Sequence, residues 1–208
     1  MQNILLIGFG GHCKSIIDSI ENSGIYKIYG IIDIKDKIGQ SYKGYKVIGA
    51  DDDLEYFYNK GLKNIFICIG YMGNSNIRNI LYKKIKKIGF NIPNIIDKTA
   101  ILANNVELGE GIFIGKRAVL NADVKIDNMA IINTGAIIEH ESYVGEFSHI
   151  SIGAILCGNV NVKENVFIGA NSTVIHSVDI NKNSIIGAGS TVIKNVLENS
   201  KCYGVVKQ

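Results

Sequence analysis

The chain has 208 residues, 47% of them hydrophobic, and a formal charge of +3. This length allows one or two domains, and so small and scattered a charge gives no reason to expect nucleic-acid binding. No apolar run approaches about 18 residues and the N-terminus has no basic segment, so we expect neither a membrane span nor a signal peptide. The four cysteines have no metal or redox spacing, which favours reduced thiols in a cytoplasmic protein.

The first segment predicts a phosphate-binding unit. Residues 2–8 are almost all apolar, as in a buried parallel strand, and a glycine turn with Gly10 and Gly11 leads into a helix over 13–22. Glycines let backbone amides approach a phosphate, and a helix N-terminus favours an anion. Cys13 stands where the dinucleotide fingerprint has its third glycine, so a purely structural turn is the alternative.

Predicted strands and helices alternate through the rest of the first domain. We expect strands over 28–33, 45–48 and 64–70, and helices over 51–59 and up to Lys87, which gives a small βαβαβ domain over 1–92. Asp33 ends the second strand, where an acidic residue commonly contacts a ribose or base, although a surface turn residue is an equal alternative.

The helix ends and faces are also predicted from this segment. Asp51 or Asp52 is expected to cap the second helix, and Asn74 or Ser75 the third. On the third helix we expect an outer face of Arg78 and four lysines, and a buried stripe of Ile77, Ile80, Leu81 and Ile85.

From Leu102 to Val192 the chain carries a strict period of six. Sixteen consecutive sixth positions are branched aliphatic residues: Leu102, Leu108, Ile114, Leu120, Ile126, Ile132, Ile138, Val144, Ile150, Leu156, Val162, Ile168, Val174, Ile180, Ile186 and Val192. Six steps of 100° would spread these residues around a helix, whereas six is a multiple of the strand period. The pattern therefore predicts a hexapeptide β-helix over 93–208, with three hexads to a coil and about five stacked coils.

Coil arithmetic singles out His140 among the four histidines. It lies at a corner, and Gly158 follows eighteen residues later, one coil above. A base beside a bare backbone leaves room for a reacting group and an amide donor for an oxyanion. Glu139 and Glu141 flank the histidine, and a carboxylate bonded to one ring nitrogen raises the basicity of the other.

The other coil histidines are less well placed within one chain. His149 is half a coil from His140, so the two can converge only if prisms pack side by side, which argues for a site between subunits. His176 is two coils from His140, roughly 10 Å away, and we expect it to be an exposed corner residue. Three histidines on a β-helix could indicate a zinc lyase, but this spacing does not bring them together within one chain, so we expect no metal.

Three features together resemble a known family: the GFGGH turn, the hexapeptide coil, and the run IIEHESYVGEFSHISIGAILCGNV over 137–160. They are similar to the sialic-acid O-acetyltransferase/nucleotide-sugar N-acetyltransferase family, including its bacillosamine-biosynthesis members. The resemblance implies homotrimers of left-handed β-helices with acetyl-CoA between adjacent prisms. Where those members have paired acidic residues this chain has Asp33-Ile34, which leaves the nucleotide base open, and Tyr71–Gly73 looks like an insertion.

The resemblance also implies roles for individual residues. His140 would be the general base, and Glu141 would raise its basicity. Asn133 would line the acceptor site. Predicted coenzyme contacts are His149, from a neighbouring subunit, and Gly158, Ala170 and Ala188. Predicted nucleotide-sugar contacts are Gly10, Gly11, His12, Asp33 and Gly70.

Three functions remain in view. We expect acetyl transfer from acetyl-CoA to the amine of a nucleotide-linked 4-amino-sugar. Sialic-acid O-acetylation is the nearest alternative, but a sialic acid would need a cationic clamp, and Arg78 and Arg117 are the only arginines. A non-catalytic sugar-binding trimer is the third, and the intact run Glu139–Glu141 disfavours it.

Overall fold

A computed structural model describes residues 1–71, 73 and 76–207. The chain divides into two compact units. The first comprises 1–70 and 76–95, and the second comprises 71–75 and 96–208. The division after Ile95 falls three residues later than the predicted boundary, and a short segment beginning at Tyr71 belongs with the second unit.

The first unit is a Rossmann-like α/β domain. Its described elements are β1 (Gln2–Ile7), α1 (Gly11–Ser23), β2 (Tyr26–Ile32), β3 (Ser41–Tyr42), β4 (Tyr45–Gly49), α2 (Leu54–Asn59), β5 (Asn64–Ile67) and α3 (Ile77–Ile88). The strands lie in the order β3-β4-β2-β1-β5, and all neighbours are parallel except the β3–β4 hairpin. The sequence pattern missed this two-residue edge strand, because so short a strand has no periodicity to detect.

Two predictions about helix ends and faces need correction. Asp53, and not Asp51 or Asp52, holds the N-cap position of α2. Its carboxylate accepts a hydrogen bond from the Ala50 N–H at 2.8 Å. On α3, Arg78 is buried (2% exposed), whereas Ile77 and Ile80 are exposed. The N-cap position of α3 is Asn76; the predicted caps Asn74 and Ser75 lie outside the described residues.

The second unit is a left-handed parallel β-helix, as predicted. Its two-residue strands form three faces. The first face has β7 (Ile101–Leu102), β10 (Val119–Leu120), β13 (Ile137–Ile138), β16 (Ile155–Leu156), β19 (Thr173–Val174), β22 (Thr191–Val192) and β24 (Val205–Val206). The second has β8 (Glu107–Leu108), β11 (Lys125–Ile126), β14 (Tyr143–Val144), β17 (Asn161–Val162) and β20 (Asp179–Ile180). The third has β6 (Ile95–Ile96), β9 (Phe113–Ile114), β12 (Ile131–Ile132), β15 (His149–Ile150), β18 (Phe167–Ile168), β21 (Ile185–Ile186) and β23 (Lys201–Cys202).

The period of six fixes the core of this unit. Every sixth residue from Ile114 to Val192 is buried inside the prism, and Leu102 and Leu108 are partly buried at its first coil. Adjacent strands within one face pair residues that are eighteen positions apart, as Val119 pairs with Ile137. The register ends at the last coil, where Ile185 pairs with Lys201 and Thr191 with Val205, so the chain returns after fewer residues.

Each corner contains a residue with positive φ. These residues recur every six positions from Gly111 to Gly189, and most of them are Gly, Asn or Asp, which tolerate the left-handed region best. Glu141 occupies one such position with φ of 59°. The corner turn thereby fixes the backbone directly after His140.

Candidate functional sites

The first candidate site is a cavity of about 340 Å³ in the Rossmann-like unit. Its lining contains all five predicted nucleotide-sugar residues, Gly10, Gly11, His12, Asp33 and Gly70, together with Lys37 and Asp51. It lies at the carboxyl ends of parallel strands, which is where open α/β sheets bind ligands.

The glycine turn gives this cavity an anion-binding character. Helix α1 begins at Gly11, and the space beside Gly10 and Gly11 is open, with no atom within 4 Å of where a Cβ would lie. Gly8 has φ of 99°, and a Cβ there would lie 2.6 Å from the Ile69 side chain. The turn thus requires glycine for its backbone and leaves backbone amides accessible at a helix N-terminus.

Asp33 connects the turn to the end of β2. Its carboxylate accepts hydrogen bonds from the backbone N–H of Ile34 at 2.7 Å and of Phe9 at 2.5 Å, and from Lys37 Nζ at 3.1 Å. Burial raises the pKa of Asp33, but the hydrogen bonds from Ile34, Phe9 and Lys37 outweigh burial and hold the pKa below its ordinary value. Asp33 is therefore ionised and held in place at neutral pH.

The second candidate site is an edge of the β-helix, between its first and second faces. His140 follows β13 there, and its Nδ1 lies 3.1 Å from Oε2 of Glu141. Both side chains are more than half exposed. Because the Glu141 carboxylate accepts a hydrogen bond from Nδ1–H, the ring lone pair that can take a proton is on Nε2, which is the arrangement of a general base.

Gly158 lies one coil above His140, as the spacing predicted. Asn159 N–H donates to the His140 carbonyl at 2.8 Å, and a Cβ on Gly158 would lie 2.6 Å from Nε2 of the imidazole. Among the described residues, no acceptor is bonded to the Gly158 N–H. The ring therefore packs over bare backbone with an available amide donor beside it.

The two flanking glutamates behave differently. Only Glu141 contacts the imidazole, while Glu139 accepts a hydrogen bond from Asn121 at 3.0 Å. Asn121 is eighteen residues before Glu139, so the coil arithmetic used for Gly158 would also have identified this pair.

The predicted residues Asn133, His149, Ala170 and Ala188 lie elsewhere on the prism. His149 is on the third face at β15, and the other three follow third-face strands at the edge shared with the first face. Ala170 is half-buried and Ala188 exposed. One chain therefore does not bring these residues to the edge that carries His140 and Gly158.

His149 is buried (7% exposed) and both its ring nitrogens have partners. Nδ1 lies 2.7 Å from the carbonyl oxygen of Tyr71, and Nε2 lies 3.1 Å from Nδ2 of Asn133. Phe167 packs edge-on against the ring. Tyr71 had no role predicted from the sequence, in which Tyr71–Gly73 looked only like an insertion.

Among the described residues, no helix is long and apolar enough to cross a membrane, and no group of three or more His, Cys, Asp or Glu side chains could hold a metal ion. All four cysteines are free thiols.

The chain has a Rossmann-like unit followed by a left-handed β-helix, with an imidazole–carboxylate pair on one edge of the coil. This combination defines a class of hexapeptide-repeat acyltransferases. The PglD N-terminal domain family matches residues 3–85, and the bacterial transferase hexapeptide family matches residues 159–194. The chain belongs to the nucleotide-sugar N-acetyltransferase family of hexapeptide-repeat enzymes, as predicted.

Two solved structures carry this assignment. PerB from Caulobacter crescentus, solved with CoA and GDP-perosamine, is 32% identical with a TM-score of 0.91, over 98% of this chain and 95% of that chain. The acetyltransferase domain of PglB from Neisseria gonorrhoeae is 26% identical with a TM-score of 0.89, over 98% and 97%. A curated relative, protein L142 from Acanthamoeba polyphaga mimivirus, is 33% identical over 114 residues, 54% of this chain. The chain spans about a fifth of that relative's length (21%).

Proposed function

We propose that this protein moves an acetyl group from acetyl-CoA to the amine of a nucleotide-linked 4-amino-sugar. The observation that carries the proposal is the His140 imidazole over Gly158, with Glu141 on Nδ1 and Nε2 available. Solved relatives support it, because PerB binds CoA and GDP-perosamine and the PglB domain binds acetyl coenzyme A.

The mechanism is direct attack. Nε2 of His140 accepts a proton as the acceptor nitrogen bonds to the thioester carbon, which gives a tetrahedral oxyanion. The Gly158 N–H is the donor available to that oxyanion. The intermediate then expels the CoA thiolate, which takes the proton from His140, so the products are the amide and the free thiol.

The remaining predicted residues have binding roles in this proposal. In the first unit, Gly10, Gly11 and His12 hold the diphosphate, and Asp33 and Gly70 border the nucleoside. In the β-helix, Asn133 contacts the acceptor. Predicted coenzyme contacts are His149, Ala170 and Ala188. The first unit thus serves as the nucleotide-sugar domain and the β-helix as the acyltransferase domain.

The working assembly is a homotrimer. Its support is that His140 lies on a different prism edge from Asn133, Ala170 and Ala188, so a second copy must contribute to a complete site. Light scattering should give three times the chain mass of 22.7 kDa; a monomer with full activity would contradict this arrangement. We also place the reaction in the cytoplasm, where acetyl-CoA is available, which cell fractionation would test.

The decisive test is thiol release from acetyl-CoA with UDP-, GDP- and dTDP-linked amino-sugars, and with sialic acid. Turnover of an amino-sugar, with kcat lowered about 10²- to 10⁴-fold in His140→Ala and acetyl-CoA binding retained, is expected. Turnover of sialic acid alone would favour O-acetylation. Turnover of none, with intact sugar binding, would favour a non-catalytic trimer.

A further inference from the structure

Two carboxylates line the cavity of the first unit, and they differ in their partners. Asp33 is already bonded to two backbone N–H groups and to Lys37. Asp51 has no hydrogen bond or ion pair to its side chain within the described ranges, and only its backbone carbonyl is bonded, accepting from Lys84 Nζ at 2.7 Å. The Asp51 carboxylate is therefore an acceptor available to a ligand in the cavity.

The sheet order places Asp51 at the base end of a bound nucleotide. The glycine turn follows β1, Asp33 follows β2, and Asp51 lies two residues after β4, and these strands are adjacent in the order β4-β2-β1. In folds of this kind the diphosphate lies at the glycine turn and the ribose at the acidic residue of the next strand. A nucleotide extended along this edge brings its base to Asp51.

The chemistry of a carboxylate discriminates among bases. It accepts two hydrogen bonds side by side and donates none when ionised. Guanine presents two adjacent donors, N1–H and the 2-amino group. Uracil and thymine present a single N–H between two carbonyl oxygens, which would repel the second carboxylate oxygen. Adenine and cytosine pair one amino group with an acceptor nitrogen.

We propose that Asp51 binds the N1–H and 2-amino groups of guanine, so that the acceptor is linked to guanosine diphosphate. The amino-sugar part of this substrate rests on the function proposed above, whereas base selection can be measured without acetyl transfer.

The surroundings of Asp51 strengthen this selection. Burial raises the pKa of Asp51, Lys84 opposes the rise, and the charges of Asp33 and Asp52 add to it. A carboxylate that has lost part of its hydration without gaining a partner gains most from a pair of ligand donors.

Titration calorimetry with GDP, IDP and UDP on the full chain tests the proposal. IDP differs from GDP only in lacking the 2-amino group. Wild-type protein should bind GDP about 5- to 100-fold more tightly than IDP, and UDP more weakly than GDP. In Asp51→Asn the GDP-to-IDP affinity ratio should fall toward one.

Asp52→Asn is the matched control, because Asp52 is exposed and pairs with Lys35 outside the cavity lining; its GDP-to-IDP ratio should stay close to that of wild type, since both oxygens of Asp51 remain in place. The proposal is overturned if UDP binds as tightly as GDP, if Asp51→Asn keeps the wild-type ratio, or if no nucleotide binds. Guanine preference without acetyl transfer to any amino-sugar would contradict the proposed function and leave this inference standing.

Discussion

Asn133 donates a hydrogen bond from its side-chain amide to Nε2 of His149, with 3.1 Å between the two nitrogens. The direction follows from the other contacts. The Tyr71 carbonyl can only accept, so Nδ1 of His149 carries the proton and Nε2 is the acceptor. Asn133 Oδ1 accepts from Thr134 N–H at 2.8 Å, which fixes the amide orientation.

Two substitutions at His149 distinguish its hydrogen bond to Tyr71 from its hydrogen bond to Asn133. In His149→Asn the side-chain amide can replace Nδ1, and in His149→Gln the side-chain oxygen can replace Nε2. If Asn133 contacts the acceptor sugar, His149→Asn should raise KM for the sugar nucleotide about fivefold, the equivalent of one hydrogen bond of about 1 kcal/mol, with kcat less affected. His149→Gln should keep a KM near that of wild type.

Steady-state kinetics with both substrates varied would measure this difference. Asn133→Ala should add no further loss in the His149→Asn background, because the amide has already lost its support. Equal KM values for the two His149 variants would contradict the positioning role.

Glu141 and Glu139 form a matched pair for testing the base. Glu141→Gln replaces the carboxylate 3.1 Å from Nδ1 of His140 with an amide, whose hydrogen bond to the ring is weaker, so kcat should fall about tenfold. Glu139→Gln retains an acceptor for Asn121 and should leave kcat within about twofold of wild type. A larger loss of kcat in Glu139→Gln than in Glu141→Gln would show that Glu139, and not Glu141, is the carboxylate that supports the base.

Gly158→Ala should displace the imidazole without unfolding the coil. The added Cβ would lie 2.6 Å from Nε2 of His140, a side chain that is exposed and free to turn away. We expect kcat to fall about 10- to 100-fold while Tm changes by less than about 3 °C. In the His140→Ala background the same substitution should cost much less, and a full additional loss there would point to another function of Gly158.

Asp33 should contribute to the acid stability of the first unit. Its pKa is lower in the folded chain than the ordinary value of 3.8, so its contribution is complete above that value and is lost as pH falls through the folded pKa. Asp33→Asn should therefore be less stable than wild type at pH 7, with the gap closing below about pH 4. Denaturant unfolding across this range checks the prediction; a gap that widens in acid would reverse the assignment.

The sequence period predicted the β-helix because one residue type at one spacing determines which side chains enter the prism. The same arithmetic predicted Gly158 above His140, since eighteen residues are one coil. Burial on α3 was predicted less well: Ile77 and Ile80 match the helical stripe yet are exposed, and Arg78 is buried. Helical spacing identifies an apolar stripe but not which tertiary neighbours cover it.

The partners of His149 could not have been predicted. Tyr71 is 78 residues away and offers a backbone carbonyl, a group that every residue has. Asp51 or Asp52 was predicted to cap the second helix, whereas the geometry shows that Asp53 holds the N-cap position of α2 and that Asp51 lines the cavity. Sequence alone cannot rank three consecutive identical side chains.

The shortened returns of the final coil limit how the molecule can grow. A prism ending on a full eighteen-residue rung would present unpaired amides and carbonyls in register for another copy, and repetition of that contact would build a fibre. Here Lys201 and Val205 return after fewer residues, so the terminal rung differs from the one beneath it. A neighbouring prism that met these strands would therefore not continue the eighteen-residue register.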